Sequence, residues 1–530
     1  MPFFLLLWSA ITSILATAIM SYICMATPIG PWIETTIVLM GTITVHMVYR
    51  TAAKRTQALG LSTVAAGMGG IIATACGFSF PTLYFLKPDL FNAWLAQPVY
   101  FCAVMAGLVI AASCVGLLVA HSVAPRMLAD PTMPFSIGQL TQKMIVAQNQ
   151  IKKSYELVSG IITSIVLACA QAVHMLPQAL PIVPKISWGV ISIHAIAFRL
   201  DLFPMLLAIG FITGTVLTIP LAVGVFSKFF ILEPLHRFAF PMLTYENFIL
   251  AFFSGIVVQS ALMSFMDFPS FIKITWRRIK LGRETFTVHK NIFQNVPWYI
   301  VGATAVCIIL FLCHFNFSLL AQLYVIGGAA VCSYQLILIA GKIGLAPLGR
   351  FATFVMVPGL VLFGFNAVQA VLVATFVEIS GGVAVDTLFG RTMGNLAHIE
   401  QRTITQYQLW GILVSAASIG IIFWLLIHHF GLGSSELFAG RAQSRALLIN
   451  AYNFDYYVLA LGVLFGCVLK YFKVNPILVL GGLAMSVDIS LMLIIGGVSA
   501  SRCKDPEDYY SYWSGVFATS SLIMIVKALL

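Results

Sequence analysis

Isolated ionisable residues interrupt the apolar segments of the chain at Lys143, Glu378, Asp386 and Asp488. Burying a charge at membrane depth costs several kcal/mol unless the charge is paired or hydrated. Each residue is therefore a candidate for a functional role. The carboxylates would exchange protons or bind a substrate amine, and the lysine would bind a substrate carboxylate. The structural alternative is an ion pair, for Asp386 with Arg391 and for Lys143 with one of the acids.

Pairing of Lys143 with an acid would connect the two halves of the chain and lower the cost of burying both charges. Protonation of the acid would then loosen the pair and couple proton binding to a rearrangement. If the stretch around Glu378 stays helical, then Thr375, Glu378, Gly382 and Asp386 fall on about one face.

Segments 133–148 and 380–394 differ from ordinary spans, because the first is short and polar and the second begins at a glycine pair. In the first, Gln139 and Gln142 share a helical face with Lys143. We predict that both are half-helices or re-entrant pieces, one in each half, that line a midplane site. The candidate substrate-binding or proton-coupling residues are Gly138, Gln139, Gln142, Lys143, Glu378, Asp386, Arg391 and Asp488.

The elements that must position these residues are membrane spans. The chain is 60% hydrophobic and 9% charged, whereas soluble proteins have roughly 25% charged residues. Apolar runs long enough to cross a hydrocarbon core recur along the whole length. The composition predicts an all-α polytopic membrane protein with fourteen to seventeen membrane segments, and a first segment that is retained as a helix.

Basic residues give the chain a net charge of +11, and most of them lie in short loops, where they set the orientation in the bilayer. The densest group lies in 273–290, between the two halves. This distribution predicts contact with the lipid bilayer and no nucleic-acid partner. The ten cysteines are scattered without metal-ligand spacing, so we expect no metal site.

A spaced motif occurs once in each half: Pro204-x5-Gly210-x13-Gly224 and Pro476-x5-Gly482-x13-Gly496. Helices interrupted by glycine and proline at matching positions of a duplicated membrane domain are typical of secondary transporters. Loop charge places the N-terminus inside and gives each half an even number of spans. We predict about sixteen transmembrane helices in two tandem eight-helix repeats, 1–285 and 286–530, with broken or re-entrant segments. Both termini are then cytoplasmic, in a plasma or inner membrane.

Four stretches are similar, in order, to motifs of one transporter family: 65–84, 133–138, 386–411 and 476–497. The chain thus resembles the oligopeptide transporter (OPT) superfamily, which includes the yellow-stripe-like metal-chelate transporters. The resemblance implies sixteen helices and proton-driven uptake of small peptides, glutathione-like compounds or metal–chelator complexes. Lys143 stands where the family pattern has a glutamate, which points to a difference in coupling or in substrate charge.

These observations predict a proton-coupled symporter that imports small peptides or peptide-like compounds by alternating access. The alternatives are a transporter of metal chelates or another small solute and, less favoured, a membrane-embedded enzyme, for which the sequence offers no catalytic motif. We expect no cofactor; protons are the coupling ion, and any metal would enter as part of the substrate. The small-residue helix faces allow a homodimer.

Overall fold

Apolar runs fold into helices throughout most of the chain that the structure describes. The structure is a computed structural model. It describes residues 3–27, 37–38, 41, 44–45, 47–49, 51–130, 133–147, 151–172, 179–182, 198–201, 204–260, 262–263, 266, 308–309, 311–343, 346–434, 436–451, 455–484 and 487–529.

The described helices of the first half run from α1 to α11, and a π-helical turn joins α9 to α10. They are α1 (Phe3–Ala26), α2 (Ala52–Ser79), α3 (Thr82–Leu86), α4 (Pro88–Leu95), α5 (Pro98–Ala129), α6 (Ser136–Ala147), α7 (Ile151–Ala172), α8 (Pro204–Thr213), α9 (Thr215–Ser227), α10 (Glu233–Ala239) and α11 (245–260).

The described helices of the second half run from α12 to α20, and a short 3-10 turn precedes α20. They are α12 (Leu319–Ile343), α13 (Leu348–Phe363), α14 (Ala367–Leu396), α15 (Gln401–Phe430), α16 (Gly440–Ile449), α17 (Tyr456–Tyr471), α18 (Pro476–Ala484), α19 (Val487–Arg502) and α20 (Tyr510–Leu529).

Within the described residues, 7 helical stretches are long and apolar enough to cross a membrane. The protein is therefore a helical membrane protein, as its composition predicts. The total of sixteen helices and the two-repeat organisation stay predictions. The seven stretches are Phe3–Ala26, Ala53–Leu86, Pro98–Ala129, Thr218–Ala239, Leu319–Gly341, Ala367–Leu396 and Gln401–Phe430.

Helices α2 and α14 form the interior of the bundle. The most apolar part of the stretch that contains α2 is 100% buried, and that of α14 is 89% buried, compared with 33% for the stretch 218–239. A helix that is apolar on all sides is stable when other helices surround it. Many of the polar groups on α2 and α14 are therefore fully buried.

The glycines of the spaced motif lie at two helix crossings. Gly210 of α8 packs against Gly496 of α19, and Gly224 of α9 packs against Gly482 of α18. A Cβ atom added to Gly224 would lie 2.8 Å from the Cα of Gly482, closer than side chains approach. The first glycine of each motif thus contacts the last glycine of the other, and these contacts let two backbones touch.

Segment 380–394 is not broken, contrary to the prediction from its glycine pair. It belongs to α14, which continues without interruption from Ala367 to Leu396. Gly381 and Gly382 instead make room for neighbouring side chains, because an added Cβ would lie too close to Leu336 and to Ile71 respectively. The pair therefore serves close packing in the interior of the bundle.

Interrupted helices do occur elsewhere. Gly214 separates α8 from α9 with φ of +57°, a backbone conformation that glycine adopts at little cost. Helix α6 has 12 residues, in agreement with the short segment expected at 133–148. Two short strands, β1 (Ala179–Ile182) and β2 (Phe198–Asp201), pair antiparallel, and the other regular elements described are helices.

Candidate functional site

Three polar side chains from three helices meet in the interior of the bundle. Nη2 of Arg445 on α16 donates to Oε1 of Glu378 on α14 at 2.6 Å. The hydroxyl of Ser79, the last residue of α2, donates to Oε2 of the same carboxylate and accepts from Nη1 of Arg445. Glu378 and Ser79 are 0% exposed, and Arg445 is 8% exposed. Each of the three groups thus hydrogen-bonds to the other two.

Helix α16 is held in place at both of its ends. Ala439, just before the helix, has φ of +49°, which is unusual for a residue with a side chain. Its N–H donates to the carbonyl oxygen of Met25 at the end of α1, at 2.5 Å. Near the other end, the hydroxyl of Ser254 on α11 donates to the carbonyl oxygen of Leu447 at 2.9 Å. This short helix of the second half is therefore attached near both of its ends to helices of the first half.

A second arginine lies one helical turn before Arg445. Arg441 and Arg445 share a face of α16, because residues four apart are neighbours on a helix. The guanidinium carbon of Arg441 lies 4.2 Å from the ring centroid of Phe78, next to Ser79 at the end of α2. The ring stabilises the cation through its negative face.

Gly349 in the first turn of α13 lies between these charged groups. A Cβ atom added there would be 3.4 Å from Oε1 of Glu378, 3.5 Å from Nη1 of Arg441 and 3.6 Å from Nη2 of Arg445. The absence of a side chain at this position leaves space next to the ion pair. That space belongs to a larger cavity.

The cavity has a volume of about 450 Å³ and lies between α11, α13, α16 and the turn from α17 to α18. Ligand sites for small molecules have volumes of about 300–1,000 Å³, so the cavity is of a size that holds a small solute. Its walls combine apolar, amide, hydroxyl and cationic groups. The lining residues are Val257, Gln259, Ser260, Met263, Gly349, Arg350, Thr353, Arg441, Ser444, Arg445, Leu448, Lys470, Lys473, Val474, Asn475 and Pro476.

Glu378 and Asp386 both lie on the buried face of α14, as expected if the segment stays helical. Asp386 is 3% exposed. It lies two turns beyond Glu378, about 12 Å along the helix axis. Thr375 and Gly382 are buried on the same helix. Of the two acids, Glu378 is the one next to the cavity.

Arg391 lies near the end of α14 and contacts two neighbouring helices. Its Nη2 donates to Nε2 of His121 on α5 at 2.6 Å and to Oγ1 of Thr405 on α15 at 3.3 Å. Nδ1 of His121 lies 3.0 Å from the carbonyl oxygen of Leu117. This pattern assigns the proton of a neutral imidazole to Nδ1, so that Nε2 accepts from the arginine. Arg391 therefore links three helices.

Helix α6, which carries four of the candidate residues, packs against α14. Gly138 is buried, and an added Cβ would lie 2.5 Å from the carbonyl oxygen of Phe389. Gln139 and Gln142 are half-buried. Lys143 belongs to the same helix, and its side chain lies outside the described residues. The packing of Gly138 brings α6 against the second half of the chain.

Asp488 lies on α19, whose first described residue is Val487. The two residues that precede it, 485 and 486, lie outside the described part of the chain. The expected place of Asp488 in the middle of a span stays a prediction.

The sequence reasoning missed Arg441 and Arg445. The stretch 440–449 is polar and resembles a connection between two spans, although it folds as a helix in which Ala442 and residues 445–447 are buried. A signal was present: two arginines four residues apart, alternating with small and apolar residues. Glu378 in an apolar helix also required a cation, and the nearest in sequence, Arg391, is thirteen residues away.

The fold and the site define an integral membrane protein of the α-helical class, with a cationic cavity beside a buried ion pair. No protein-family model matches the chain, and a comparison with curated proteins finds no significant match.

Proposed function

We propose that the chain is a proton-coupled secondary transporter, a symporter that imports small peptides or peptide-like compounds by alternating access. The proposal includes two tandem repeats, 1–285 and 286–530, and membership of the OPT superfamily, on the strength of the motifs quoted above. The same site would also serve a metal chelate or another small solute, and the uptake experiment below separates these.

The observation that carries the proposal is the ion pair between Glu378 and Arg445 at the wall of the cavity. Arg445 lines the cavity, while Glu378 is fully buried next to it. Removing one partner of such a pair leaves an uncompensated charge, at a cost of about 3–5 kcal/mol. The pair has two states: closed, with Glu378 bound to Arg445, and open, with a ligand bound to Arg445 or a proton bound to Glu378.

In the proposed scheme the substrate and the proton bind to opposite members of this ion pair. A substrate carboxylate that enters the cavity competes with Glu378 for the guanidinium of Arg445. Glu378, released from its partner, is the group that carries the co-transported proton in this scheme. Substrate binding and proton binding support each other in this scheme, which is the coupling that a symporter needs. A proton that crosses 100 mV contributes about 2.3 kcal/mol.

Asp386 is a secondary group in this proposal. Asp386 is the second buried carboxylate on α14 and lies about 12 Å from Glu378, a distance that calls for intermediate groups in a proton path. We expect the variant Asp386→Ala to slow uptake driven by a proton gradient. Unchanged gradient-driven uptake would remove Asp386 from the path.

Uptake into proteoliposomes tests the proposal. The purified protein is given a mixed library of tri- to pentapeptides, with and without an inward proton gradient, and the vesicle content is read by mass spectrometry. We expect specific peptides to accumulate only with the gradient. If the folded protein accumulates no peptide, metal chelates and other solutes are tested next, and the peptide proposal is abandoned.

A matched pair of acid variants makes the test specific. Glu378→Gln removes the titratable group at the cavity, so accumulation should lose its dependence on the gradient. Glu233→Gln changes an exposed carboxylate, whose side chain is 38% accessible and pairs with Arg237. The second variant should behave as the wild type. Full gradient dependence in Glu378→Gln would contradict the coupling scheme.

A further inference from the structure

The cavity beside the ion pair is lined by an excess of positive charge. Five of its sixteen lining residues are basic, and none of those described lining residues is acidic. The carboxylate of Glu378 pairs with Arg445 at the wall of the cavity. The basic lining residues are Arg350, Arg441, Arg445, Lys470 and Lys473.

These cations come from separate parts of the fold. Arg350 lies in the first turn of α13, Arg441 and Arg445 lie on α16, and Lys470 and Lys473 lie at the end of α17 and in the turn after it. Basic loops that set membrane orientation are local in sequence. Here the fold collects charges that are more than a hundred residues apart, and two of them come from a helix held inside the bundle.

Two helix N-termini border the same space. Gly349 and Arg350 begin α13, and Asn475 and Pro476 begin α18, which has nine residues. The N-terminal end of a helix carries a partial positive charge, which favours an anion nearby. The helix ends and the basic side chains thus both make the electrostatic potential of the cavity positive.

Lys473 is in a backbone conformation that favours glycine. Its φ is +59°. Its N–H donates to the carbonyl oxygen of Lys470 at 2.9 Å, and the N–H of Val474 donates to that of Leu469 at 2.9 Å. This is the hydrogen-bond pattern of a helix end at which glycine is the usual residue. A lysine in this conformation strains the backbone relative to glycine. We therefore expect the lysine side chain to have a function that offsets the strain.

We propose that the cavity selects anionic solutes with at least two carboxylate or phosphate groups, so that the preferred peptides are acidic. This inference rests on the proposed transport function for its substrate class. Several cations held together repel one another, and a ligand with several anionic groups offsets that repulsion. The phosphate of an anionic lipid headgroup has the same chemistry, and the experiment therefore separates a solute from a lipid.

The test compares triglutamate with triglutamine, two peptides of equal length that differ in the charge of their side chains. Binding is measured by calorimetry, with the full-length protein in nanodiscs of phosphatidylcholine or in nanodiscs that also contain phosphatidylglycerol. We expect triglutamate to bind at least about tenfold more tightly than triglutamine, because hydrogen bonds between charged groups are strong. Equal affinities would overturn the proposal.

The variant Lys473→Gly distinguishes an effect of the lysine charge on binding from an effect on folding. The variant should lower triglutamate affinity about tenfold, leave triglutamine unchanged and keep or raise the thermal transition, since glycine suits this backbone. Arg237→Gln, which removes an exposed charge away from the cavity lining, is the control and should change neither affinity. Unaltered triglutamate binding in Lys473→Gly would contradict the assignment.

Two further outcomes identify the source of the anion and distinguish this inference from the transport proposal. If phosphatidylglycerol is retained through Lys473 and triglutamate does not bind, the anion belongs to lipid and the solute proposal is wrong. Charge-selective binding without gradient-driven uptake would support the cavity assignment and reject the symporter. Gradient-driven uptake of both peptides at equal rates would support the symporter and reject the selection of anionic solutes.

Discussion

At the scale of residues, the account depends on one buried pair. Glu378 has no exposed surface, and both of its carboxylate oxygens are engaged, one with Arg445 and the other with Ser79. Such pairs contribute little net stability relative to apolar residues of similar volume, although breaking one is costly. Glu378 is therefore better explained by a role in function than by a role in folding.

Replacing one or both partners of this pair tests its energetics. Glu378→Leu and Arg445→Met alone should each lower stability by about 3–5 kcal/mol, because each leaves a buried charge without its partner. The double variant should recover most of the loss. Thermal unfolding in detergent measures the effect.

The exposed pair of Glu233 and Arg237 provides the control for that comparison. Its members are 38% and 54% exposed and lie 2.6 Å apart. Arg237→Ala should change stability by only about 0.3–0.5 kcal/mol, as is usual for exposed pairs four residues apart on a helix. A double variant at Glu378 and Arg445 that is as unstable as the sum of the single ones would show that the pair is needed for folding.

The sequence identified Glu378 but not its partner. An acid in an apolar helix is visible in the sequence, and so is its need for a cation. The partner lies 67 residues away on α16, a helix whose polar composition resembles a loop. Lys143 was a reasonable alternative, since both residues interrupt apolar segments. Pairing across such a distance depends on tertiary packing, which local patterns do not contain.

At the scale of elements, glycines decide how closely the helices approach. Gly210, Gly224, Gly482 and Gly496 lie where two backbones touch, so a side chain has no room there. The sequence motif singles out these four positions as interruptions of helices in a duplicated domain, and that duplication stays a prediction. It did not reveal that they contact each other, nor that Gly381 and Gly382 leave α14 intact.

Single methyl groups test these crossings. Gly210→Ala and Gly482→Ala should each destabilise the protein by about 1–3 kcal/mol, because the added Cβ would lie less than 3.0 Å from backbone atoms of the facing helix. The measurement is the thermal transition in detergent, together with gradient-driven uptake.

Gly327 in α12 is the matched control. It is exposed, and an added Cβ would meet nothing within 4 Å. Gly327→Ala should be neutral or stabilise the helix by up to about 1 kcal/mol, since alanine is the better helix former. Equal effects of Gly327→Ala and Gly210→Ala would show that the crossings are not close.

At the scale of the whole molecule, hydropathy predicted the class of fold and left its internal organisation open. Apolar runs long enough to cross a membrane are a property of composition, so the helical membrane architecture follows from the sequence. The interior positions of α2 and α14 follow less directly, because apolar helices face lipid and protein alike. The cavity was not predicted, since its lining comes from four separate elements.

Proton movement caused by substrate is the most direct test of the central claim, which is coupling through Glu378. Proteoliposomes that contain a pH-sensitive dye in the lumen are given an accumulating peptide, with no proton gradient imposed. The account predicts that the lumen acidifies as the peptide enters with the wild type and with Glu233→Gln, and that it does not with Glu378→Gln. Peptide entry through the wild-type protein without acidification would contradict the account.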